Sequence, residues 1–405
     1  MRRESTSTQH DHAYDVVVVG ARVAGAATAM LLARSGHRVL MVDRSQPSRD
    51  TNSTHSLVRG GVVQLARWGL LDEVVATGTP QVRSVSFFQG SAVVRHQIKD
   101  RAGVDFLIAP RRYVLDDLLA RAAVSAGAEL LTGVTVAGVL RDAAGRVTGV
   151  TVRAADGSTR EVGARLVVGA DGVHSSTAAH VRSAIVADHE PTGASFYTYV
   201  ADVPWDGFEF HLGERSYAGV FPTHDDQACI WLSTPEEDMS SVVSGGADRV
   251  AAWLDALDLA APDLARRVRR GTVTARLRGA IGLPNRVRRA AGPGWALVGD
   301  AGYHRDPITG HGITDAFRDA ELLAEAADAA LRLVVPEDVA LARYERRRDA
   351  AIAETFAVTR ALGAFPPVAQ FEALQARFSR ALDAEASQLA ARPIVVGRAR
   401  VTSAA

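Results

Sequence analysis

The hydrophobic pattern near the N-terminus predicts a strand, a helix and a second strand. Asp15–Val19 is a short run dominated by valine, Val23–Ser35 is rich in alanine and leucine, and Arg38–Val42 is apolar again. Gly36 stands just past the helical stretch, where a helix C-terminal cap is common. An alternation of strand, helix and strand predicts a parallel sheet covered by helices.

The rest of the chain divides into β-rich and helical stretches. Alternating polar and apolar positions predict strands over Val82–Phe88 and Ala92–Ile98, β-like runs over Glu129–Val162, and an aromatic-rich block of strands over Ser195–Ser233. The predicted helices are Gly61–Gly69, Arg112–Gly127, Ile313–Leu333, Glu337–Leu362 and Pro367–Leu389. The C-terminal third is therefore expected to be mostly helical.

This order of elements predicts an α/β fold built from interleaved segments. A Rossmann-like domain is expected to combine with a β-sheet domain for the substrate and with a helical C-terminus. The predicted boundaries are residues 13–77, 106–182 and 286–333 for the first domain, residues 78–105 and 183–285 for the second, and residues 334–405 for the C-terminal helices. The polar stretch Met1–His12 is expected to be frayed.

Composition narrows the class of protein. The chain has 405 residues, of which 47% are hydrophobic and 23% are charged, as in ordinary globular proteins. Its formal net charge of zero provides no field that would favour nucleic acid or an anionic membrane. Cys229 is the only cysteine, which excludes an internal disulfide and fits a reducing compartment. We therefore expect a cytoplasmic protein with neither a nucleic-acid nor a membrane partner, present as a monomer or homodimer.

Three glycine-containing turns each follow a short apolar run that reads as a buried strand. They are Gly20-Ala-Arg-Val-Ala-Gly25, Gly169-Ala-Asp-Gly172 and Gly299-Asp-Ala-Gly302. The carboxyl ends of parallel strands meet at one edge of a sheet, which is where such folds bind nucleotides. One turn of this kind would be weak evidence, but three in this order predict a site for one large dinucleotide.

The first turn has the features of a pyrophosphate site. A helix that starts directly after a strand presents unpaired N–H groups and a positive dipole end to the phosphates. Gly20 permits the tight turn, Gly25 permits close packing of the helix, and Asp43 at the end of the second strand is placed to bind a ribose hydroxyl. Arg22 replaces the middle glycine of the usual G-x-G-x-x-G and can supply charge to the cofactor. The predicted cofactor contacts in this part of the chain are Gly20, Arg22, Val23, Ala24, Gly25, Asp43 and Arg44.

The other two turns add carboxylates and a second helix start. Asp171 can orient ribose or pyrophosphate, and Gly172 allows a close approach. The segment Pro307–Gly312 opens a long helix, whose N-terminus would stabilise negative charge on a reduced flavin ring. The predicted contacts here are Asp171, Gly172, Gly299, Asp300, Pro307, Gly310, His311, Gly312 and Ile313.

Together these motifs resemble class A flavoprotein monooxygenases of the para-hydroxybenzoate hydroxylase fold, and the related geranylgeranyl reductase branch of that superfamily. The family's D-G-x-x-S motif corresponds to Asp171–Ser175, and its G-D-A…P…G-x-G…D-A motif runs from Gly299 to Ala320. The segment beginning at Arg59 resembles the arginine segment that contacts the cofactor, and Arg112-Tyr-Val-Leu115 resembles the R-x-x-L segment whose arginine lies along the flavin. The resemblance covers most of the chain up to about Asp319.

The resemblance implies FAD as the cofactor and NAD(P)H as a transient reductant. It implies that O2 adds at the flavin C4a position and that the resulting hydroperoxide hydroxylates or epoxidises an apolar or aromatic small molecule, in secondary metabolism. Tyr217 and Phe221 in the aromatic-rich block are the candidate substrate contacts. His55 and His311 are the candidate catalytic residues, because an imidazole near the ring can transfer protons at neutral pH. No cluster of cysteine and histidine predicts a metal.

Other functions remain open at this point. A reductase of prenyl or polyene double bonds is the nearest alternative, because Gly299–Gly312 also resembles that branch. A flavin halogenase would need an active-site lysine and a W-x-W-x-I-P segment, whereas Lys99 is the only lysine and the segment is absent. A non-catalytic binding protein would have no need of the Pro307–Gly312 segment. Oxygen consumption that depends on substrate would separate the oxygenase from the reductase.

Overall fold

The computed structural model describes residues 13–45, 50–53, 55–191, 193–244 and 246–392. The stretch Met1–His12, predicted to be frayed, and the last 13 residues of the predicted C-terminal segment lie outside the described residues. The described part contains three β-sheets and eleven α-helices. The α/β fold class with a helical C-terminus is confirmed.

The strands alternate with helices in the first half and cluster in the middle of the chain. They are β1 (Tyr14–Val19), β2 (Val39–Asp43), β3 (Ser84–Gln89), β4 (Ala92–Gln97), β5 (Glu129–Thr132), β6 (Thr135–Arg141), β7 (Val147–Arg153), β8 (Thr159–Gly169), β9 (Ile185–His189), β10 (Ala194–Ala201), β11 (Phe208–Leu212), β12 (Tyr217–Pro222), β13 (Gln227–Thr234), β14 (Thr272–Val273), β15 (Arg278–Ile281), β16 (Asn285–Arg288), β17 (Ala291–Gly292), β18 (Trp295–Leu297) and β19 (Tyr303–His304).

The helices include all six that the sequence pattern predicts, with ends shifted by a few residues. They are α1 (Val23–Arg34), α2 (Arg59–Arg67), α3 (Leu71–Ala76), α4 (Arg112–Ser125), α5 (Ser176–His180), α6 (Ser240–Ser244), α7 (Arg249–Ala260), α8 (Pro262–Arg270), α9 (Gly312–Leu331), α10 (Glu337–Gly363) and α11 (Val368–Ala390). Helices α6 to α8 lie in a segment that was expected to be β-rich.

The first sheet carries the glycine turns along one edge. Its strands run in the order β17-β18-β8-β1-β2-β5, and β18, β8, β1, β2 and β5 are mutually parallel. Val16, Val17 and Val18 are completely buried, because both faces of β1 are covered. Helix α1 packs against α4 and α9 on one of these faces. The turns after β1, β8 and β18 therefore meet at the carboxyl edge of this sheet.

The second sheet separates two apolar clusters on its two faces. Its main path runs β14-β10-β13-β12-β11-β3-β4, with β15 also paired to β10. Side chains alternate between faces along each strand. Phe196 and Val200 of β10 pack with α7 and α8, whereas Tyr197 and Tyr199 belong to an aromatic cluster on the opposite face. This aromatic face is the one that adjoins the carboxyl edge of the first sheet.

The C-terminal helices connect the two sheets. Helix α10 packs against α9, and α11 packs against both α10 and α2. Phe371 and Phe378 of α11 are buried in the aromatic cluster of the second sheet, whereas Leu389 near its end is buried in the core of the first. The strands of the two sheets come from the segments assigned to the two domains, but the domain boundaries themselves stay a prediction.

Candidate cofactor and active site

The turn between β1 and α1 is closed so tightly that glycine is required at two positions. Gly20 has a φ of +103°, and a Cβ added there would lie 2.5 Å from the carbonyl oxygen of Ala170. A Cβ added at Gly25 would lie 1.8 Å from the carbonyl oxygen of Gly20. The first turn is thus pressed against the loop that follows β8. Val23 begins α1, and Ala24 is buried behind it.

Polar groups at the ends of β1 and β2 form a small hydrogen-bonded unit. Asp43 accepts hydrogen bonds from the backbone N–H groups of Ala21 and Ser45, each at 2.8 Å. Arg22 has an extended backbone with φ −90° and is exposed, and its guanidinium donates to the Thr51 hydroxyl at 2.8 Å. Arg44 is also exposed beside Asp43. This geometry fixes the Asp43 carboxylate next to the first turn.

Asp171 has a structural task that the sequence motif did not reveal. Its carboxylate accepts hydrogen bonds from the backbone N–H of Thr177 at 2.9 Å and from the Thr177 hydroxyl at 3.0 Å, and also from the hydroxyls of Ser175 and Ser176. It therefore holds the start of α5. Gly172 faces open space, since an added Cβ would have no neighbour within 4 Å. A contact between Asp171 and FAD stays a prediction.

The segment before α9 closes the edge of the sheet beside the first turn. A Cβ at Gly299 would lie 2.9 Å from the Cβ of Ala24, so the loop after β18 approaches α1 closely. Asp300 is exposed. Pro307–Thr309 form a single 3-10 turn that Asp306 caps by accepting from the N–H of Ile308 at 2.9 Å. Gly310 follows this turn, and α9 then begins at Gly312 and Ile313.

The residues at this edge fit FAD. Helices α1 and α9 pack against each other, and neither has a hydrogen bond from the side chain of its N-cap residue. Their first N–H groups therefore suit the pyrophosphate and an electron-rich ring. Added Cβ atoms at Gly172 and Gly312 would meet nothing within 4 Å, which leaves room for a ligand. The first turn, Asp43, Gly299, Asp300 and residues 310–313 lie along this edge, and their contacts with FAD stay predictions.

The two arginines predicted to contact the flavin are hydrogen-bonded to other groups of the protein. The guanidinium of Arg59 donates to the carbonyl oxygens of Lys99 at 2.9 Å and Val104 at 2.5 Å. Arg112 makes two hydrogen bonds to Asp116 on its own helix, at 3.0 and 3.1 Å. Both interactions restrict where the guanidinium groups point. Contacts of these arginines with FAD stay predictions.

His55 lies at the junction of the cofactor segment and the aromatic face. It is 1% exposed, and its backbone has a φ of +66°, which is uncommon for a residue other than glycine. Ser56, which follows it, donates to the carbonyl oxygen of Gly310 at 3.2 Å. The Nε2 atom of His55 is hydrogen-bonded to the hydroxyl of Tyr199, and the two rings are parallel to within 9°. His55 and Ser56 together thus contact both the aromatic face and the segment before α9.

The electrostatic surroundings keep His55 neutral. Burial lowers its pKa well below the usual value, and the charges of Arg112, Arg111 and Arg278 lower it further. Burial likewise raises the pKa of Tyr199 far above its usual value, so this hydroxyl keeps its proton. Tyr199 therefore donates to Nε2, and the imidazole proton lies on Nδ1. Nδ1 is buried and has no hydrogen-bond partner among the described residues.

Tyr199 is a site residue that the sequence analysis missed. The guanidinium of Arg111 stacks on its ring at 3.4 Å from the ring centre and also forms an ion pair with Asp50. The neighbouring Tyr197 accepts from the N–H of Ser53 at 3.2 Å and donates to the carbonyl oxygen of Thr51 at 2.9 Å. The alternation along β10 was a usable signal, because it places both tyrosines on one face.

Tyr217 and Phe221 lie in the aromatic cluster but are covered by other side chains. They are 2% and 3% exposed. The Tyr217 hydroxyl accepts from the side-chain amide of Gln375 on α11 at 2.6 Å, and its ring lies 5.2 Å from that of Trp231. Ile308 of the 3-10 turn belongs to the same cluster. Their role as direct substrate contacts stays a prediction.

His311, the second candidate catalytic residue, is buried at the start of α9. Its Nε2 lies 2.8 Å from a carboxylate oxygen of Glu385 on α11 and 3.7 Å from Asp315. Arg318 binds the same two carboxylates at 2.7 Å each. The guanidinium therefore neutralises a group of acids whose spacing alone would resemble a metal site. Glu385 was not among the predicted residues.

Comparison with known proteins identifies the chemistry of the site. Residues 13–359 match the family model described as an FAD binding domain. Digeranylgeranylglycerophospholipid reductase 2 of Methanothermobacter thermautotrophicus is 30% identical over 346 residues, which cover 82% of this chain and 83% of that protein. Squalene epoxidase 2, mitochondrial, of Arabidopsis thaliana is 27% identical over 336 residues, covering 80% and 55% of the two chains.

A solved structure is similar over nearly the whole chain. P. aeruginosa PqsL in complex with 2-aminobenzoylacetate superposes with a TM-score of 0.77 at 26% identity, covering 91% of this chain and 99% of that one. The comparisons confirm the para-hydroxybenzoate hydroxylase-like fold and FAD as the cofactor. They also confirm an FAD-dependent oxidoreductase. Within the described residues, no helix is both long and apolar enough to cross a membrane.

Proposed function

The chain belongs to the FAD-binding-domain family, and from that premise we propose that it is a monooxygenase that uses NAD(P)H and O2 to hydroxylate or epoxidise an apolar or aromatic small molecule. Bound FAD would supply the redox chemistry, while the protein orients the reactants and excludes water. The residues that would hold FAD are those at the carboxyl edge of the first sheet, together with the start of α9.

The observation that carries the proposal is the aromatic face of the second sheet beside the segment before α9. Tyr197, Tyr199 and Trp231 belong to one buried cluster with Ile308, which precedes Gly310 by two residues. Such a wall next to the cofactor segment suits an apolar substrate. The same packing excludes water from the reacting groups, and a dry site prevents side reactions of oxygen intermediates.

His55 and Tyr199 are proposed to hold the aromatic face in position against the cofactor segment. The imidazole is neutral, its Nε2 accepts from Tyr199, and its Nδ1 is buried, so His55 acts from behind the surface of the site. The rigid stack of Arg111 on Tyr199 holds this orientation. His55 therefore fixes the position of the Tyr199 ring relative to the cofactor segment, and a catalytic role for His55 stays a prediction.

The relatives support two reaction types. The squalene epoxidase favours oxygen transfer to an unsaturated compound, and the complex of PqsL with 2-aminobenzoylacetate favours an aromatic ligand. The relationship to a digeranylgeranylglycerophospholipid reductase favours the second candidate, an FAD-dependent reductase of prenyl or polyene double bonds. An apolar wall serves either substrate, so the use of O2 decides between them.

The deciding experiment measures oxygen transfer. Purified holoenzyme is supplied with NADPH or NADH, isotopically labelled O2 and a panel of aromatic acids, quinones and prenylated compounds. Oxygen uptake that depends on the added compound, with the label in the product, is the expected result. Anaerobic turnover that saturates a double bond would replace the proposal with the reductase. Protein that does not bind FAD would contradict both.

A further inference from the structure

Arg278 of β15 lies on the aromatic face of the second sheet. It stands directly opposite Tyr197 in the antiparallel pairing of β15 with β10. Residues that are directly opposite in such a pair have their side chains on the same face of the sheet. Because Tyr197 belongs to the aromatic cluster, Arg278 extends from the same face. Besides burial, the charge of Arg278 contributes to the low pKa of His55, so the guanidinium is close to the junction of the two sheets.

The segment 50–53 connects Arg278 with the first glycine turn. Nη1 of Arg278 donates to the carbonyl oxygen of Asp50 at 3.4 Å, which is long for a hydrogen bond of this type. One residue further on, the hydroxyl of Thr51 accepts from Arg22, which lies in the turn between β1 and α1. Arg278 is therefore placed between the aromatic face and the edge that is predicted to bind FAD.

The charge of Arg278 is not matched by a carboxylate. A guanidinium group is cationic at any ordinary pH. The nearby Arg111 and Arg112 both have acidic partners, since Arg111 pairs with Asp50 and Arg112 pairs with Asp116. In the part of the chain that the structure describes, Arg278 forms no ion pair, and its one hydrogen bond goes to a backbone carbonyl. The aromatic face thus carries one cation whose counter-charge does not come from these residues.

One edge of this guanidinium is open to a ligand. Arg278 is partly exposed, and only its Nε atom is buried without a hydrogen-bond partner. Nη2 has no partner among the described residues either, but it is not fully buried and so remains accessible. Nη1 has only its long bond to Asp50. Nη1 and Nη2 together form a planar edge of the kind that binds a carboxylate through two parallel hydrogen bonds.

We propose that Arg278 is a specificity-determining residue that binds a carboxylate of the substrate, so that the substrate is an apolar or aromatic acid. The apolar part of the acid lies against the rings of the aromatic face, and its carboxylate pairs with Nη1 and Nη2. Neighbouring rings shield this pair from water, which makes it stronger than a pair on an open surface. The inference rests on the proposed function in taking the aromatic face as the substrate wall, and it holds for an oxygenase and a reductase alike.

The test is titration calorimetry of the oxidised holoenzyme with acids and their neutral amides. The pairs are benzoate and benzamide, cinnamate and cinnamamide, and octanoate and octanamide. The two members of a pair have nearly the same shape and differ in charge. The wild type is expected to bind at least one acid about 10- to 100-fold more tightly than its amide, because a hydrogen bond between two charged groups is stronger than one to a neutral group.

Arg278→Gln is expected to abolish this preference by weakening the binding of the acid and leaving that of the amide unchanged. Arg278→Lys keeps the charge but loses the planar edge, and is expected to retain part of the preference. The matched control is Arg276→Gln, which changes an exposed arginine two positions earlier and should bind acid and amide as the wild type does. An equal loss for acid and amide in Arg278→Gln would show a purely structural role and overturn the proposal.

Two further results would also overturn it. A wild type that binds no acid of the panel more tightly than its amide does so without any variant, even if Arg278→Gln fails to fold. NADPH is titrated in the same way, and a loss of NADPH affinity in Arg278→Gln with acid binding unchanged would assign the residue to a phosphate of the reductant. Because binding to the resting enzyme needs neither O2 nor turnover, these results stand apart from a failure to find oxygenase activity.

Discussion

Gly25→Ala is expected to disrupt the first turn through a single backbone collision. The new Cβ would lie 1.8 Å from the carbonyl oxygen of Gly20, whereas real Cβ atoms essentially never approach a heavy atom within 3.0 Å. The carbonyl cannot rotate away as a flexible side chain would, so α1 and the turn must separate by more than an ångström. Overpacking of this kind costs about 1–3 kcal/mol. If the displaced turn loses the same free energy in cofactor binding, the affinity for FAD falls about five- to 150-fold.

Two measurements separate folding from binding in this variant. Urea unfolding of the apoprotein reports stability, and quenching of FAD fluorescence reports the dissociation constant. The control is Gly138→Ala in β6, where an added Cβ would have no neighbour within 4 Å and the backbone is not in the left-handed region. The reasoning fails if Gly25→Ala binds FAD and unfolds as Gly138→Ala does.

Three further predictions follow from the neighbouring contacts. Tyr199→Phe removes the hydroxyl bound to His55 but keeps the ring under Arg111, so the aromatic face loses a fixed contact and turnover should fall about 10²-fold with FAD still bound; unchanged steady-state kinetics would contradict the positioning role. Because burial lowers the pKa of His55, the unfolded chain takes up a proton below about pH 6.5 that the folded chain does not bind. The free energy of unfolding therefore falls as the pH drops from 7 to 5. His55→Gln should make this fall less steep when urea unfolding is measured at several pH values in that range. If the wild type and His55→Gln lose stability equally steeply between pH 7 and pH 5, His55 is not buried as a neutral base. Asp171→Ala removes the acceptor for the N–H of Thr177, and should cost about 1–2 kcal/mol of unfolding free energy; an unchanged urea-unfolding curve would show that α5 does not depend on this carboxylate.

Local patterns in the sequence predict the elements and the cofactor edge well. The predicted helix Pro367–Leu389 is observed as Val368–Ala390, because its apolar spacing is regular along the whole length. The glycine turns were recognisable for a physical reason that the structure makes plain. At Gly20 and Gly25 any larger residue would collide with backbone, so the residue type is dictated locally.

The missed features depend on contacts between distant parts of the chain. Tyr199 lies 144 positions from His55, and Glu385 lies 74 positions from His311, so neither partner leaves a local pattern. Arg59 shows the same limit. Its motif suggests a cofactor contact, which stays a prediction, but the motif gives no sign that its guanidinium bonds to the carbonyl oxygens of residues 99 to 104.

The order of strands in the first sheet has a consequence for how the protein is made. The first turn is synthesised early, yet β18 and α9, which complete the cofactor edge, come from the last third of the chain. Contacts between such distant segments form slowly, because a long loop must close first. A nascent chain on the ribosome therefore carries half a nucleotide site until α9 has emerged. Complete binding of FAD therefore waits until α9 has emerged, and a chain that stops before α9 has no complete site to load.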